Sequence, residues 1–133
     1  MSNVIVTTDA AFAADVLESE LPVVVRFTAT WCGPCRNFAP LFAEAAEQFA
    51  GKIKFVTVDV DNCKDTALKY NVRGIPFVLT FKGGEPQGAS QGAMPKSKFV
   101  ELLSKSFPEH VGQIATGNGP TAATQPEGTG TSA

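Results

Sequence analysis

Hydrophobic and polar positions along the first hundred residues follow two different periods. Short runs rich in valine, isoleucine and phenylalanine, bounded by turn residues, predict strands at 4–6, 23–29, 53–60 and 77–81. Apolar residues spaced three and four apart predict helices around 12–17, from the cysteine loop to about 50, at 65–70 and from about 95 onward. The run at 23–29 is almost continuously apolar, which is typical of a central strand buried on both faces.

A hairpin turn at 82–85 and a weak strand that ends at Gly92 complete the pattern. The resulting order, β-α-β-α-β-α-β-β-α, predicts an α/β fold with a central mixed sheet and helices on both faces. The segment Thr7-Thr8-Asp9 offers side chains that cap the first helix. Pro40 is expected to kink the second helix, because proline removes a backbone donor.

The composition changes beyond Phe107. Positions 116–133 contain no large apolar residue and consist mainly of Thr, Gly, Ala and Pro. Such a segment cannot bury enough apolar surface to offset the entropy that it loses on ordering. The sequence therefore predicts a folded domain over residues 1–107 and a disordered tail over residues 108–133.

Charge and hydropathy exclude several classes of function. The 133 residues carry a formal net charge of −2 with scattered Lys and Arg, so neither nucleic acid nor a membrane surface is an expected partner. No apolar run approaches the ~18 residues of a membrane-spanning helix. The first residues lack the basic segment of a secretory signal. We therefore expect a cytoplasmic monomer of one domain.

Two of the three cysteines, Cys32 and Cys35, lie between the central strand and an amphipathic helix. The amide groups and the dipole at a helix N-terminus stabilise a thiolate and lower the pKa of a thiol placed there. We therefore expect Cys32 to be exposed and nucleophilic, and Cys35, inside the first turn, to be shielded and able to resolve a mixed disulfide. Gly33 and Pro34 favour a tight loop between them.

The alternative for this pair is a metal site. Two cysteines satisfy only half of a tetrahedral zinc shell, and neither Cys63 nor His110 completes a recognised spacing. A redox pair that needs neither metal nor bound cofactor is therefore favoured. For Cys63 two interpretations stay open, a regulatory thiol and a small residue that fills space, and the second is preferred.

The segment 27–35, Phe-Thr-Ala-Thr-Trp-Cys-Gly-Pro-Cys, resembles the active-site signature of thioredoxins. The resemblance covers residues 3 to 107 and continues through the segments Val58–Asp61, Arg73–Pro76, Phe81–Gly84 and Gly92–Ala93. It implies the thioredoxin fold and a protein-disulfide reductase in which Cys32 attacks client disulfides and Cys35 releases the product. It also implies recharging by an NADPH-dependent thioredoxin reductase.

The resemblance further implies a docking groove beside the cysteines. The bond between Ile75 and Pro76 is then expected to be cis, which would place Ile75 beside the disulfide, where its backbone can pair with a client. The residues that would line this groove are Trp31, Gly74, Ile75, Pro76, Gly92 and Ala93.

The sequence departs from the family pattern beneath the cysteines. Arg26 stands where thioredoxins usually carry a buried Asp, and Thr57 stands where a lysine is often paired with that acid. The cation of Arg26 could stabilise thiolates and raise the reduction potential, or its side chain could pair or reach solvent and tune nothing. Since a buried unpaired guanidinium is costly, we expect a partner or an exit.

Arg26 also keeps two alternative functions open. One is a more oxidising thiol exchanger. The other is a binding module or adaptor, because a basic residue at this strand position resembles the redox domain of thioredoxin-like proteins that associate with the proteasome.

Overall fold

The computed structural model describes residues 3–110. Five strands lie in this part of the chain: β1 Val4–Val6, β2 Val23–Thr28, β3 Lys54–Asp59, β4 Phe77–Lys82 and β5 Glu85–Gln91. The helices are α1 Gly33–Gln48, α2 Lys64–Lys69 and α3 Lys96–Ser106, and a π-helical turn spans Ala13–Leu17. The observed order confirms the predicted sequence of elements, with the first helix reduced to that turn.

The strands form one mixed sheet in the order β1-β3-β2-β4-β5. The pairs β1–β3 and β2–β3 are parallel, whereas β2–β4 and β4–β5 are antiparallel. The predicted mixed sheet is therefore confirmed. Strand β2 lies at its centre, and its first five residues are paired on both sides.

Helical segments cover both faces of the sheet in the part of the chain up to Lys96. On one face, Val25 and Phe27 of β2 pack in a cluster that includes Phe12 and Val16 from the π-helical region. On the other face, the rings of Phe42 and Phe49 in α1 lie 5.2 and 6.5 Å from that of Phe55 in β3. The apolar stripe of α1 therefore fixes this helix against the sheet.

The chain divides into two compact units, one that ends at Lys96 and one that begins at Ser97. Within α3, Phe99, Leu102 and Leu103 are buried, and they are the residues whose spacing predicts this helix. The predicted domain boundary at residue 107 stays a prediction. Residues 111–133 of the predicted tail lie outside the described residues.

Asp9 has a role that differs from the sequence prediction. The π-helical turn begins after Phe12, which makes no side-chain capping bond, so Asp9 lies too early in the chain to cap it. The Asp9 carboxylate instead accepts hydrogen bonds from the N–H of Asp65 (3.3 Å) and from the N–H (2.9 Å) and hydroxyl of Thr66, in the first turn of α2. These bonds, chiefly the one from the Thr66 hydroxyl, lower the pKa of Asp9.

We predict that Asp9→Asn lowers the melting temperature at pH 7, because the amide cannot provide the charged acceptor that the first turn of α2 binds. A carboxyl whose pKa is lowered by folding stabilises the protein above its unfolded pKa of about 3.9, and the contribution is lost as the pH falls through the folded pKa. The difference between wild type and variant, measured by circular dichroism, should therefore shrink below about pH 4. Glu44→Gln, on the exposed face of α1, is the control; a difference that persists at low pH contradicts the prediction.

Candidate active site

Cys32 and Cys35 form a disulfide at the N-terminus of α1, with their Cα atoms 5.3 Å apart. Strand β2 ends at Thr28, and the chain turns so that the N–H of Cys32 donates to the carbonyl of Ala29 at 3.2 Å. Cys32 is the N-cap residue of α1, and its Sγ accepts a hydrogen bond from the N–H of Cys35 at 3.2 Å. The Cys32 sulfur therefore lies where the orphan amides of the helix favour negative charge.

Both sulfur-bearing side chains are buried, and the expectation that Cys32 is exposed is therefore wrong for the disulfide form. The exposed fraction is 5% for Cys32 and 1% for Cys35. The two residues pack with Ala29, and the half-buried side chains of Val60 and Ile75 lie against this cluster. Neighbouring apolar side chains thus shield Cys32 as well as its partner.

The predicted groove residues meet around this disulfide. The Ile75–Pro76 bond is cis, and the N–H of Gly92 donates to the carbonyl of Pro76 at 2.8 Å. Ala93 and Pro34 line an apolar cleft of about 450 Å³. Pro34 belongs to residues 31–35, the redox loop. The structure therefore brings segments 74–76 and 92–93 to the cysteine pair.

Gly74 lies close to the flexible side chain of Gln91. A Cβ atom at this position would lie 3.0 Å from Nε2 of Gln91, at the end of β5. An alanine here would require the end of the Gln91 side chain to shift by a few tenths of an ångström.

Trp31 stands out beside the cysteines because 67% of its surface is exposed. Its Nε1–H donates to Oδ2 of Asp61 at 2.9 Å. This bond joins the redox loop to the segment after β3, so the large exposed ring has a defined position. From the sequence, Asp61 and Asp59 close a strand and are weak candidates to replace the missing buried acid; the bond to Trp31 is a role that the sequence does not predict. The signal for it is the place of Asp61 just after the end of a strand, where side chains of α/β proteins reach functional sites.

Arg26 lies beneath the first turn of α1. Its Nη1 donates to the carbonyl of Cys35 at 3.2 Å, and its guanidinium carbon lies 5.5 Å from the centre of the Phe42 ring. Burial lowers the pKa of the guanidinium, although it stays protonated near neutral pH. The partners of this cation among the described residues are therefore a carbonyl and an aromatic face.

Thr57 is the register partner of Arg26 in the parallel pair of β2 and β3, and it is buried. Its Oγ1 and the Nε of Arg26 are buried atoms without a hydrogen-bond partner among residues 3–110. The two residues predicted to tune the site thus form one polar patch in the sheet beneath Cys35.

A cleft of about 350 Å³ opens beside Arg26 and Cys35. It is also lined by Asp59, the last residue of β3, which was not selected from the sequence. The remaining lining residues are Thr28, Ala29, Thr30, Arg36 and Ala39. A carboxylate and a buried cation therefore share one solvent-connected space with the second cysteine.

The third cysteine is a buried free thiol away from this pair. Cys63 has an exposed fraction of 1%, and its Sγ donates to the carbonyl of Thr7 at 3.6 Å. Burial, aided by the charge of Asp9, raises the pKa of Cys63. A buried, protonated thiol reacts slowly, so these observations favour the space-filling interpretation.

Two further properties concern only residues 3–110. In this range no cluster of three or more His, Cys, Asp or Glu side chains is arranged to hold a metal ion. No helix in the same range is long and apolar enough to cross a membrane.

A disulfide at the N-cap of a helix that follows the central strand defines a dithiol–disulfide redox centre. Comparison with known proteins agrees with this class, since the Thioredoxin family model matches residues 3–105. Thioredoxin C-2 of Corynebacterium nephridii is 47% identical over 106 residues, which cover 80% of this chain and 98% of that protein. Thioredoxin of Pseudomonas aeruginosa is 41% identical over 105 residues, 79% of this chain and 97% of that protein.

A chloroplast protein is also similar. Thioredoxin M-type of Pisum sativum is 44% identical over 105 residues, which cover 79% of this chain and 61% of that protein. The chain therefore belongs to the thioredoxin family, and it is a thioredoxin-type dithiol–disulfide oxidoreductase. The fold and family that the sequence motifs imply are confirmed, and the binding-module alternative is not favoured.

We predict that Asp61→Ala gives the Trp31 ring greater freedom, because the variant removes the acceptor of the Nε1–H bond. Trp31 is the single tryptophan of the chain, so time-resolved fluorescence anisotropy reports on this ring alone. We expect a larger fast component of the decay in Asp61→Ala. Asp61→Asn keeps an oxygen acceptor and should resemble wild type; equal decays for the alanine variant and wild type would contradict the assignment.

Proposed function

We propose that the protein reduces disulfides of client proteins, with Cys32 as the attacking thiolate and Cys35 as the resolving thiol. The observation that carries these roles is the N-cap position of Cys32, whose sulfur receives the amide N–H of Cys35 at 3.2 Å. This position stabilises a thiolate and makes the sulfur a good nucleophile near neutral pH. Cys35 is the more buried of the two, so it is suited to react only with a sulfur already held at Cys32.

The reaction transfers two electrons. The Cys32 thiolate attacks one sulfur of the client disulfide, so that a mixed disulfide forms and the other client sulfur leaves as a thiolate that takes a proton from solvent. The Cys35 thiolate then attacks the Cys32 sulfur. The Cys32–Cys35 bond forms, the mixed disulfide breaks, and the second client sulfur leaves and is protonated.

The groove supports binding of an extended client segment. Trp31 offers a large exposed apolar surface, Ile75 packs against the cystine, and Gly92 is bonded to Pro76, which supports a groove lined by these residues with Gly74 and Ala93. In this proposal the backbone at Ile75 pairs with the client, and Gly92, which has open space where a Cβ would lie, leaves room for the client backbone to approach.

The oxidised protein needs a source of two electrons for the next turnover. Membership in the thioredoxin family supports a thioredoxin reductase that uses NADPH as that source. A monomer in the cytoplasm, working between this reductase and many clients, completes the proposal. A reducing compartment also suits the free thiol of Cys63.

The roles of the two cysteines are tested by reduction of insulin disulfides, coupled to NADPH oxidation through a thioredoxin reductase. We expect turnover by wild type and Cys63→Ser, and none by Cys32→Ser, which lacks the nucleophile. Cys35→Ser should retain the first attack and accumulate a covalent complex through Cys32, visible as a mass increase that a reductant removes. Absence of turnover by folded wild-type protein would refute the reductase, and a complex formed through Cys35 would reverse the roles.

We propose in addition that Arg26 and Thr57 set the reduction potential. The Arg26 cation is bound to the carbonyl of Cys35 and is partly shielded from water by Phe42. A fixed positive charge at this place stabilises thiolates relative to the uncharged disulfide, which favours the reduced form and raises the potential. Thr57, the register partner of Arg26, supplies a neutral neighbour that leaves this charge unopposed within the patch.

The expected result for Arg26→Asp is a potential lower than that of wild type by on the order of 30 mV, the equivalent of about 1.4 kcal/mol for a two-electron couple. Redox equilibration of the variant against wild type, followed by thiol counting, measures the difference directly. Lys52→Asp makes the same charge reversal at an exposed position near the opposite end of α1 and should leave the potential unchanged. An equal or higher potential in Arg26→Asp would refute tuning by this cation.

A further inference from the structure

The resolving step requires Cys35 to lose a proton in a buried place. Only 1% of the Cys35 surface is exposed. Its neighbour Cys32 is bonded to the client at that stage. Cys35 lines the cleft of about 350 Å³, which gives water a route to this residue. A water molecule occupies about 30 Å³ in the liquid, so the cleft has room for several.

Among residues 3–110, one carboxylate lines this cleft. Asp59 is half-buried at the end of β3, and its Oδ1 accepts the N–H of Asp61 at 2.9 Å, which leaves Oδ2 for water. Besides Cys35 and Asp59, the ionisable side chains that line the cleft are Arg26 of β2 and Arg36 of α1, which are permanent cations near neutral pH. The hydroxyls of Thr28 and Thr30 are not bases at this pH.

We propose that Asp59 accepts the proton of Cys35, through water in the cleft, during resolution of the mixed disulfide. This inference rests on the roles proposed above for the two cysteines. The Asp59 carboxylate takes the proton, and the Cys35 thiolate attacks the Cys32 sulfur. The Cys32–Cys35 bond forms as the bond to the client breaks, and the client sulfur leaves with the electron pair. Asp59 then releases the proton to solvent through the cleft, and the client thiolate takes a proton from solvent according to its own pKa.

Arg26 complements Asp59 in this arrangement. Its guanidinium is bound to the carbonyl of Cys35, so a positive charge is held against the backbone of the residue whose sulfur becomes anionic. Asp59 and Arg26 line the same cleft. Asp59 removes the proton from Cys35, and Arg26 stabilises the thiolate that is left.

Stopped-flow reaction of the reduced protein with the aromatic disulfide 5,5′-dithiobis(2-nitrobenzoate) isolates the step. Attack by Cys32 releases one nitrothiobenzoate at a rate that depends on reagent concentration. Attack by Cys35 on the mixed disulfide releases a second at a rate that does not. Cys35→Ser, which should release only the first, identifies the two phases.

We expect Asp59→Asn to slow the concentration-independent phase on the order of 10²-fold near pH 7, the lower end of what general acid–base catalysis contributes. The amide retains the oxygen that accepts the N–H of Asp61, so the turn is preserved. A circular dichroism melting curve like that of wild type shows that the variant is folded, and an unchanged concentration-dependent phase shows that attack by Cys32 is unaffected. Asp59→Glu should recover part of the rate, and Asp65→Asn, the same change at an exposed position on α2, should leave both phases as in wild type.

The pH profile separates proton transfer from a structural effect. With a carboxylate acceptor the wild-type resolution rate should change little with pH near neutrality. In Asp59→Asn it should rise about tenfold per pH unit, because hydroxide becomes the acceptor. A rate unchanged in the variant, or one reduced equally at every pH, overturns the inference. Release of no nitrothiobenzoate by folded wild-type protein would instead refute the proposed function.

Discussion

The structure depends on the junction at which the central strand passes into α1. Strand β2 is paired on both sides, and its alternate side chains are buried in two packed layers, so its end has a fixed position. Aromatic contacts of Phe42 and Phe49 with Phe55 hold α1 on one of those layers. With both elements fixed, the short connection between them places Cys32 at the helix N-cap and Cys35 in the first turn.

The same junction determines the electrostatics of the cysteines. Above the sheet, the N-terminus of α1 directs its amide groups at the Cys32 sulfur. Between the sheet and the first turn of α1, Arg26 is bound to the carbonyl of Cys35, and Asp59 lines the adjoining cleft. Both residues lie on strands that the junction aligns in register, so the backbone of the sheet, rather than flexible loops, sets the positions of these charges.

Contacts distant in sequence complete the site and its support. Trp31 is held by Asp61, and the cis Ile75–Pro76 segment lies against the cystine, next to Gly92. Asp9 caps α2, which lies more than fifty residues further along the chain. These contacts join parts of the chain that are far apart in sequence. Those of Trp31 and Ile75 position the segments around the redox loop.

The sequence by itself determined the order of the elements, the central strand, and the reactive pair Cys32 and Cys35. These features follow from local periodicity and from a motif whose chemistry is set by its place at the start of a helix. The family resemblance added the groove residues and the cis bond before Pro76, which single-residue preferences do not specify. The boundaries of most strands and helices were predicted to within a few residues, because apolar runs and turn residues mark them.

Tertiary structure alone decided the burial of Cys32, the capping of α2 by Asp9, the partners of Arg26 and the place of Asp59 in the cleft beside Cys35. Each of these depends on a contact between elements far apart in the chain. Residue type and spacing indicate which side chains can donate, accept or carry charge. Which of them meet is set by the packing of the sheet and helices, whose free energy is shared among many residues and is not encoded at any single position.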